Sequence, residues 1–238
     1  MVEPMIIERK KLFEHVAAHL EAQILAGKLR PGDQLPPERD LQISFGVGRP
    51  AIREALISLQ KAGLLELNNG SRARVQMPTA SHIFMGMAPA VRQMLSTSDG
   101  HRHFQGARLF FEAGLARVAA KSATDEDLAA LKGALEANRA AIDDRDQFTA
   151  TDIAFHFELA KIARNPVFIA LHDQISEWLT EQRVVTLTAG GQALTAFKAH
   201  EAIYQAVVAR DPDRAEDAMR NHLEQLASTF WRQRGEAE

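Results

Sequence analysis

The stretch from residue 36 to residue 75 constrains the fold of this chain more than any other part of its sequence. Two prolines open a short helical pattern over Glu38–Phe45, and proline suits the first positions of a helix. The glycines of Gly46-Val47-Gly48 predict a tight turn. Arg49-Pro50 then begins a second helix, which reaches about Ala62 and places its apolar residues on one face. Two helices joined by such a turn are typical of a helix-turn-helix.

A further helix precedes this pair and a hairpin follows it. Apolar residues recur at helical spacing over Arg9–Ala26. Leu64–Leu67 and Arg72–Val75 are strand-like and flank Asn68-Asn69-Gly70-Ser71. Asn-Gly between two such runs indicates a hairpin, because both residues tolerate positive φ. Three helices and a two-stranded wing predict a winged helix-turn-helix domain over residues 1–76.

The remainder of the chain, residues 77–238, predicts an all-helical antiparallel bundle, so the fold class is mainly α. Met77-Pro78-Thr79-Ala80 is the predicted linker. Thr124 and Asp211 are predicted helix caps, the first with Asp127 at the capping-box position. The predicted helices lie near 80–96, 102–121, 125–142, 146–163, 167–187, 192–209 and 212–233.

Composition excludes several classes of protein. The chain has no cysteine, which excludes disulfides and thiolate zinc sites and fits a reducing cytoplasm. No apolar run approaches the roughly 18 residues that span a bilayer, and the start does not resemble a signal peptide, so we expect a cytoplasmic protein without a membrane partner. The net charge is -3, but residues 1–75 hold 11 Lys and Arg against 9 Asp and Glu. A mildly basic head on an acidic chain is compatible with binding to nucleic acid.

Arginines supply the expected contacts to DNA. In a helix-turn-helix the second helix lies in the major groove. Arg49 and Arg53 lie one turn apart on that helix, and Arg39 of the preceding helix can join them. The guanidinium fork matches guanine O6 and N7 and also pairs with phosphates. The wing adds Gly70 at its tip and Arg72 and Arg74 on its second strand. The alternative, a solvated basic face, is disfavoured by the whole tandem of elements.

A candidate metal site lies in the helical half. Asp152 and His156 are four residues apart and therefore share a helix face. His200 and His222 lie on apolar stripes of later helices. A histidine in such a stripe is usually a hydrogen-bonded core residue, so the residues alone leave both a metal site and a packed core open. The other histidines form no convincing ligand set.

The N-terminal motifs resemble those of the GntR family of transcription regulators. The resemblance is carried by Leu35–Leu41, Gly46–Pro50, Arg53–Leu56 and Leu59–Leu65, and it extends over residues 9–75. It implies that Arg39, Arg49 and Arg53 contact DNA and that Gly70 is the wing-tip glycine. Gly48 departs from the family, which commonly has Ser or Thr there, and so removes a helix cap and a phosphate contact.

The helical half resembles the ligand-sensing domain, of the type called FCD, in the FadR branch of that family. Arg108–Glu112 and the Asp-x-x-x-His step carry this resemblance. It implies that Asp152, His156, His200 and His222 bind a divalent metal, for which zinc suits the donors best and nickel or manganese are alternatives. It also implies a cavity in which Arg108 clamps an effector carboxylate, the alternative being a salt bridge inside the bundle.

Within this branch, the wing at 67–75, the entry at 9–12 and Arg108–Glu112 are similar to repressors of sialic-acid operons. The resemblance implies an effector that is a sialic acid or another organic acid. We expect a homodimer, with a higher oligomer as the alternative, on a palindromic operator of double-stranded DNA.

Two other functions compete with an effector-relieved repressor. One is a metal-dependent hydrolase with a fused DNA-binding head, since one Asp and three His can activate water. We find no general base on the same faces, because Glu158 is two residues from His156, and we predict that the chain is not an enzyme. The other is a regulator whose metal is purely structural.

Overall fold

A computed structural model describes residues 11–68, 71–187 and 190–235. They form two compact units, and the boundary lies between Gly86 and Met87. The boundary predicted from the sequence lies after residue 76. In the structure the short helix that follows the predicted linker instead groups with the first unit.

The first unit contains three helices, a small sheet and a short fourth helix. Its elements are α1 (Leu12–Leu25), α2 (Glu38–Phe45), α3 (Arg49–Lys61), β1 (Leu65–Glu66), β2 (Arg74–Val75) and α4 (Ala80–Met85). The strands are antiparallel, with Leu65 opposite Val75. This order confirms the predicted winged helix-turn-helix. Asn69 and the predicted wing-tip residue Gly70 lie outside the described residues.

The apolar faces of α1 and α3 build the core of this unit. Val16 and Leu20 of α1 pack with Ile52 and Leu59 of α3 in one buried cluster. Leu12, which continues the apolar spacing of α1, is instead 62% exposed at the start of the helix. Gly46 ends α2 at φ 62°, a left-handed conformation that glycine adopts without a steric penalty. The turn it makes places α3 directly after α2.

Every element described in the second unit is a helix. They are α5 (Ala88–Leu95), α6 (Ser98–Ser122), α7 (Asp125–Ala140), α8 (Arg145–Ile162), α9 (Pro166–Trp178), α10 (Thr180–Leu187), α11 (Gln192–Val208) and α12 (Pro212–Gln233). Phe148, Phe155, Leu131, Ile203 and Met219 form the centre of its core. The predicted mainly α fold is therefore confirmed. None of the described helices is long and apolar enough to cross a membrane.

Two of the helices predicted over residues 77–238 are wrong, because the structure divides each of them into two shorter helices. The predicted helix at 80–96 is interrupted at Gly86-Met87, where Pro89 follows in the first turn of α5. Proline lacks the N–H that would continue the earlier helix. The predicted helix at 167–187 is interrupted at Leu179, between α9 and α10, where no proline or glycine marks the break.

The predicted caps of the second unit are confirmed. The Thr124 hydroxyl accepts the Asp127 backbone N–H at 3.2 Å, and the Asp127 carboxylate accepts the Thr124 backbone N–H at 2.8 Å. Asp211 accepts the backbone N–H of Arg214 at 3.1 Å. These bonds satisfy N–H groups that a helix leaves unpaired at its start.

Candidate metal centre and nucleic-acid interface

Three helices bring the four predicted metal ligands together in the second unit. α8 supplies Asp152 and His156, α11 supplies His200, and α12 supplies His222. One ligand atom from each lies within 4.8 Å of all the others, and all four residues are buried. The two ligands on α8 are one turn apart, which is why they reach the same point. The site predicted from the sequence therefore exists as a geometric cluster.

Outer partners orient two of the imidazoles. Nδ1 of His200 lies 3.0 Å from Oδ1 of Asn138, a buried residue of α7. Nε2 of the same ring faces Nε2 of His222 at 3.3 Å and Oδ1 of Asp152 at 3.4 Å. Nδ1 of His156 contacts the carboxylate of Glu112 on α6. Fixing one ring nitrogen in this way turns the other toward the cluster, as in metal sites.

The donor set fits a divalent metal ion. Nε2 of His156 is buried and has no hydrogen-bond partner, an arrangement that costs free energy unless another group satisfies the nitrogen. The facing Nε2 atoms of His200 and His222 can share at most one proton, whereas a metal accepts the lone pairs of both. Three imidazole nitrogens and one carboxylate suit zinc chemistry.

The surroundings of His200, His222 and Asp152 favour the protonation states that a metal requires. Burial lowers the pKa of His200 to about 3 and holds that of His222 well below its usual value. Burial by itself would raise the pKa of Asp152, but the Arg183 guanidinium and the His200 ring hold it below the ordinary range. The imidazoles of His200 and His222 are therefore neutral and the Asp152 carboxylate is ionised at neutral pH, as metal ligation needs.

A small cavity adjoins Asp152. Its lining includes Arg108, Asp152, Gln182 and Arg183, and its free volume of about 10 Å³ is roughly the room of one water. Arg183 donates from Nε to the Asp152 carboxylate at 2.8 Å. Arg108 donates from Nε to Glu112 at 2.6 Å. Arg108 therefore makes the salt bridge inside the bundle that was one of its two alternatives, and because it also lines the cavity, its contact with an effector carboxylate stays a prediction.

Three buried polar atoms of this lining have no hydrogen-bond partner. They are Nη2 of Arg108, Nη2 of Arg183 and Oε1 of Gln182. Two donors that share a cavity with one acceptor are suited to a ligand that brings both kinds of group.

Glu112, Asn138, Gln182 and Arg183 are polar residues of this site that sequence reasoning missed. Glu112 could have been found, since it lies four residues after Arg108, the spacing of a helical ion pair. Asn138 follows Leu131 and Leu135 at positions of the same buried helix face, so it was detectable as a polar residue in an apolar stripe. Arg183 has no comparable signal, because it follows a helix break that the local sequence does not mark.

Three of the five predicted arginines of the first unit line one groove. An open groove of about 760 Å³ is lined by Arg49 and Arg53 of α3, by Arg72 of the wing and by Glu38 of α2. The Arg49 and Arg53 side chains are 67% and 61% exposed. Arg39 is exposed on α2. The groove thus combines the start of α2, one face of α3 and the wing.

Two details modify the expected interface. Arg74 donates from Nη1 to the Gly32 carbonyl at 2.6 Å, so one of its amino groups supports the wing. Gly48 occupies the N-cap of α3, and no side chain caps that helix. A Ser or Thr, which the family commonly has at this position, would supply a capping hydroxyl that Gly48 lacks.

The first unit has the architecture of a DNA-binding head, and the second has a buried Asp-His₃ cluster beside a polar cavity. Together they define a transcription regulator with a DNA-binding head and a ligand-sensing domain. The chain belongs to the GntR family: residues 12–75 match "Bacterial regulatory proteins, gntR family", and residues 106–225 match the FCD domain. GntR heads bind DNA and FCD domains take a small-molecule effector, so the hydrolase alternative falls away.

The chain is similar to curated regulators over nearly its whole length. It is 42% identical to the "HTH-type transcriptional repressor NanR" of Klebsiella aerogenes, over 97% of this chain and 89% of that protein. It is 40% identical to the repressor of the same name from Salmonella newport, over 94% and 87%.

Solved structures agree with the fold. "Streptococcus agalactiae GntR" matches with a TM-score of 0.57 and 25% identity, covering 90% of this chain and 98% of that one. "E. coli McbR/YncC" matches with a TM-score of 0.54 and 17% identity, covering 95% and 100%, and supports the fold alone.

Proposed function

We propose that this protein is a dimeric repressor whose operator binding responds to a carboxylate-bearing metabolite held beside a metal ion. The proposal rests on one observation, the convergence of Asp152, His156, His200 and His222 next to a cavity that two buried arginines line. The repressor sign follows the names of the relatives.

The proposed metal ligands are those four residues, and zinc suits them best, with nickel and manganese as alternatives. A bound divalent ion would supply positive charge to attract the effector carboxylate. Asn138 and Glu112 hold the His200 and His156 rings in the orientation that ligation needs. Their role is to position ligands.

The cavity residues suggest the chemistry of the effector. Nη2 of Arg108 and Nη2 of Arg183 are available to a carboxylate, and Oε1 of Gln182 is available to a hydroxyl or amide N–H. A sialic acid has a carboxylate, hydroxyls and an amide N–H, and other hydroxylated organic acids have the carboxylate and the hydroxyls. Because Arg183 already pairs with Asp152, an arriving carboxylate would share that guanidinium with a metal ligand. Effector and metal binding would then be coupled.

Two copies of the chain would present two winged heads to a palindromic operator, with half-site spacing set by the symmetry of the dimer. A higher oligomer is the alternative. In each head, Arg39, Arg49, Arg53, Arg72 and Arg74, with the wing tip at Gly70, are the proposed contacts. The effector changes DNA affinity only by its differential affinity for the two arrangements of the heads.

One observation favours a second candidate, a purely structural metal. The cavity has room for about one water, so a metabolite would have to enlarge it. In that case the metal would stabilise the bundle, and no metabolite would alter operator binding.

Thermal melting of the zinc-loaded and chelator-treated protein tests both candidates. The melts are repeated with N-acetylneuraminate, gluconate, lactate or acetate as the candidate effector. Zinc should raise the melting temperature of wild type and of His103→Ala, a control at an exposed histidine of α6, but not of His200→Ala. A hydroxylated acid at 100 times its Kd should raise the free energy of unfolding by about 2.7 kcal/mol. We expect this gain to be absent in Arg183→Met.

Three outcomes separate the candidates. A zinc shift with a compound shift, and with release of a DNA duplex by that compound, supports the sensory site. A zinc shift with no compound effect supports the structural metal. Wild type that binds no zinc, nickel or manganese by elemental analysis contradicts both.

A further inference from the structure

An acidic side chain lies on the face proposed to meet DNA. Glu38 lines the same groove as Arg49, Arg53 and Arg72. A carboxylate near DNA phosphates lowers affinity for any sequence, because it opposes the neutralisation that drives binding. Its place among the arginines therefore requires a compensating role.

The geometry indicates that role. Oε2 of Glu38 lies 3.2 Å from Nε of Arg49, and Oε1 lies 3.9 Å from Nε of Arg53. One carboxylate thus reaches both arginines with one oxygen each. Both contacts run through Nε, at the side of the guanidinium, so the terminal amino groups can still form the two parallel hydrogen bonds that read guanine.

We propose that Glu38 is a positioning residue that holds Arg49 and Arg53 for base recognition and thereby favours the operator over other DNA. The inference rests on the proposed function, since it needs those arginines to contact bases. An arginine that nothing holds pairs equally well with any phosphate. An arginine held at Nε loses less conformational freedom when it binds the correct base. Glu38 would lower affinity in general and raise selectivity.

A competing explanation is local helix stability. Glu38 and Asp40 both lie in the first turn of α2, where a negative charge interacts favourably with the helix dipole. Residues two apart on a helix point to nearly opposite sides, and of the two only Glu38 is among the described residues that line the groove. Asp40→Asn therefore removes the same charge from the same helix turn without touching the arginine contacts, and it is a matched control for Glu38→Gln.

The test is a specificity ratio. An operator duplex is first selected from random duplexes with the wild-type protein. Fluorescence anisotropy then gives Kd for that duplex and for a scrambled duplex of equal length, at one ionic strength, for wild type, Glu38→Gln and Asp40→Asn. Circular dichroism melts verify that each variant is folded.

Glu38→Gln should bind the scrambled duplex about twofold to fivefold more tightly, as a negative charge is lost from the interface. Its ratio of operator to scrambled affinity should fall by about threefold to tenfold, the scale of two exposed ion pairs. Asp40→Asn should change both affinities by about twofold or less and leave the ratio unchanged.

An unchanged ratio in Glu38→Gln, or an equal fall in Asp40→Asn, overturns the positioning role. A loss confined to one base pair of the operator overturns it as well, because Glu38 would then read a base directly. Failure of the proposed function looks different: Arg49→Ala would then bind the operator as wild type does, whatever Glu38→Gln does.

Discussion

The two units contain the same kind of ion-pair arrangement in opposite surroundings. In the first, Glu38 lies between Arg49 and Arg53, and the three side chains are 37%, 67% and 61% exposed. In the second, Glu112 lies between Arg108 and His156, and no side chain of the three is more than 4% exposed. One carboxylate joins two nitrogen-bearing partners in both places.

The difference in exposure suits the two arrangements to different tasks. Exposed pairs contribute little to stability and are screened by salt, so their arginines can exchange solvent for DNA at low cost. Buried pairs cannot exchange one partner for another in this way, since separating them leaves an uncompensated charge in the core. The exposed arrangement therefore suits recognition of a partner, and the buried one suits a fixed orientation of the His156 ring.

The largest expected effect is on the buried arrangement. Glu112→Gln leaves the Arg108 charge without its counter-charge and weakens the contact that orients His156. Urea unfolding of the chelator-treated protein should show the second unit destabilised by about 3–5 kcal/mol. The matched control is Glu158→Gln on α8, which removes a carboxylate paired at 2.9 Å with Lys161 on the surface.

The control should lose less than about 1 kcal/mol. Equal losses in the two variants would mean that the Arg108 charge is compensated by groups other than Glu112, and the contrast between buried and exposed pairs would fail.

These two arrangements also show what the sequence could predict. The helices and the wing were predictable, because apolar periodicity is a local property, and the i, i+4 spacing placed Asp152 and His156 on one face. That His200 and His222 join them followed only from the resemblance to the family. Contacts between elements were not predictable. That Glu38 reaches α3 depends on the turn between α2 and α3, and that Arg183 reaches Asp152 depends on a helix break without a local signal.

A second prediction asks whether the buried region is the pH-sensitive one. Burial lowers the pKa of His172 to about 4; Glu112 opposes this, while His156, Arg108 and Arg183 add to it. As pH falls below about 6.5, the unfolded chain takes up a proton that the folded protein excludes, so stability is lost. His172 alone should contribute a loss of about 1.6 kcal/mol between pH 6.5 and pH 5.

Urea unfolding of the chelator-treated protein across this range should therefore show a flatter pH dependence for His172→Gln than for wild type. His103→Gln, at an exposed position on the neighbouring helix α6, should follow wild type. Parallel curves for wild type and His172→Gln would show that His172 does not titrate differently in the folded and unfolded states.

The third prediction concerns the exposed arrangement. Arg49→Ala should weaken operator binding by about tenfold, or ~1.4 kcal/mol, because a base-reading fork is removed from the start of α3. Arg30→Ala removes the same charge from an exposed position of the same unit and should change affinity by about twofold or less. Equal losses at matched salt would make the binding a matter of charge alone and would contradict the assignment of α3 as the recognition helix.

The smallest expected effect repeats the first substitution in the other unit. Glu38→Gln should lower the unfolding free energy of the first unit by less than about 1 kcal/mol, because the pairs with Arg49 and Arg53 are solvent-exposed. That loss should shrink further in 1 M salt, whereas the loss from Glu112→Gln should persist, since buried charges are screened much less. Chemical unfolding of both variants at low and high salt checks this. A salt-independent loss of several kcal/mol from Glu38→Gln would mean that the Glu38 carboxylate is structural. A difference in operator selectivity between Glu38→Gln and Asp40→Asn would then need another cause.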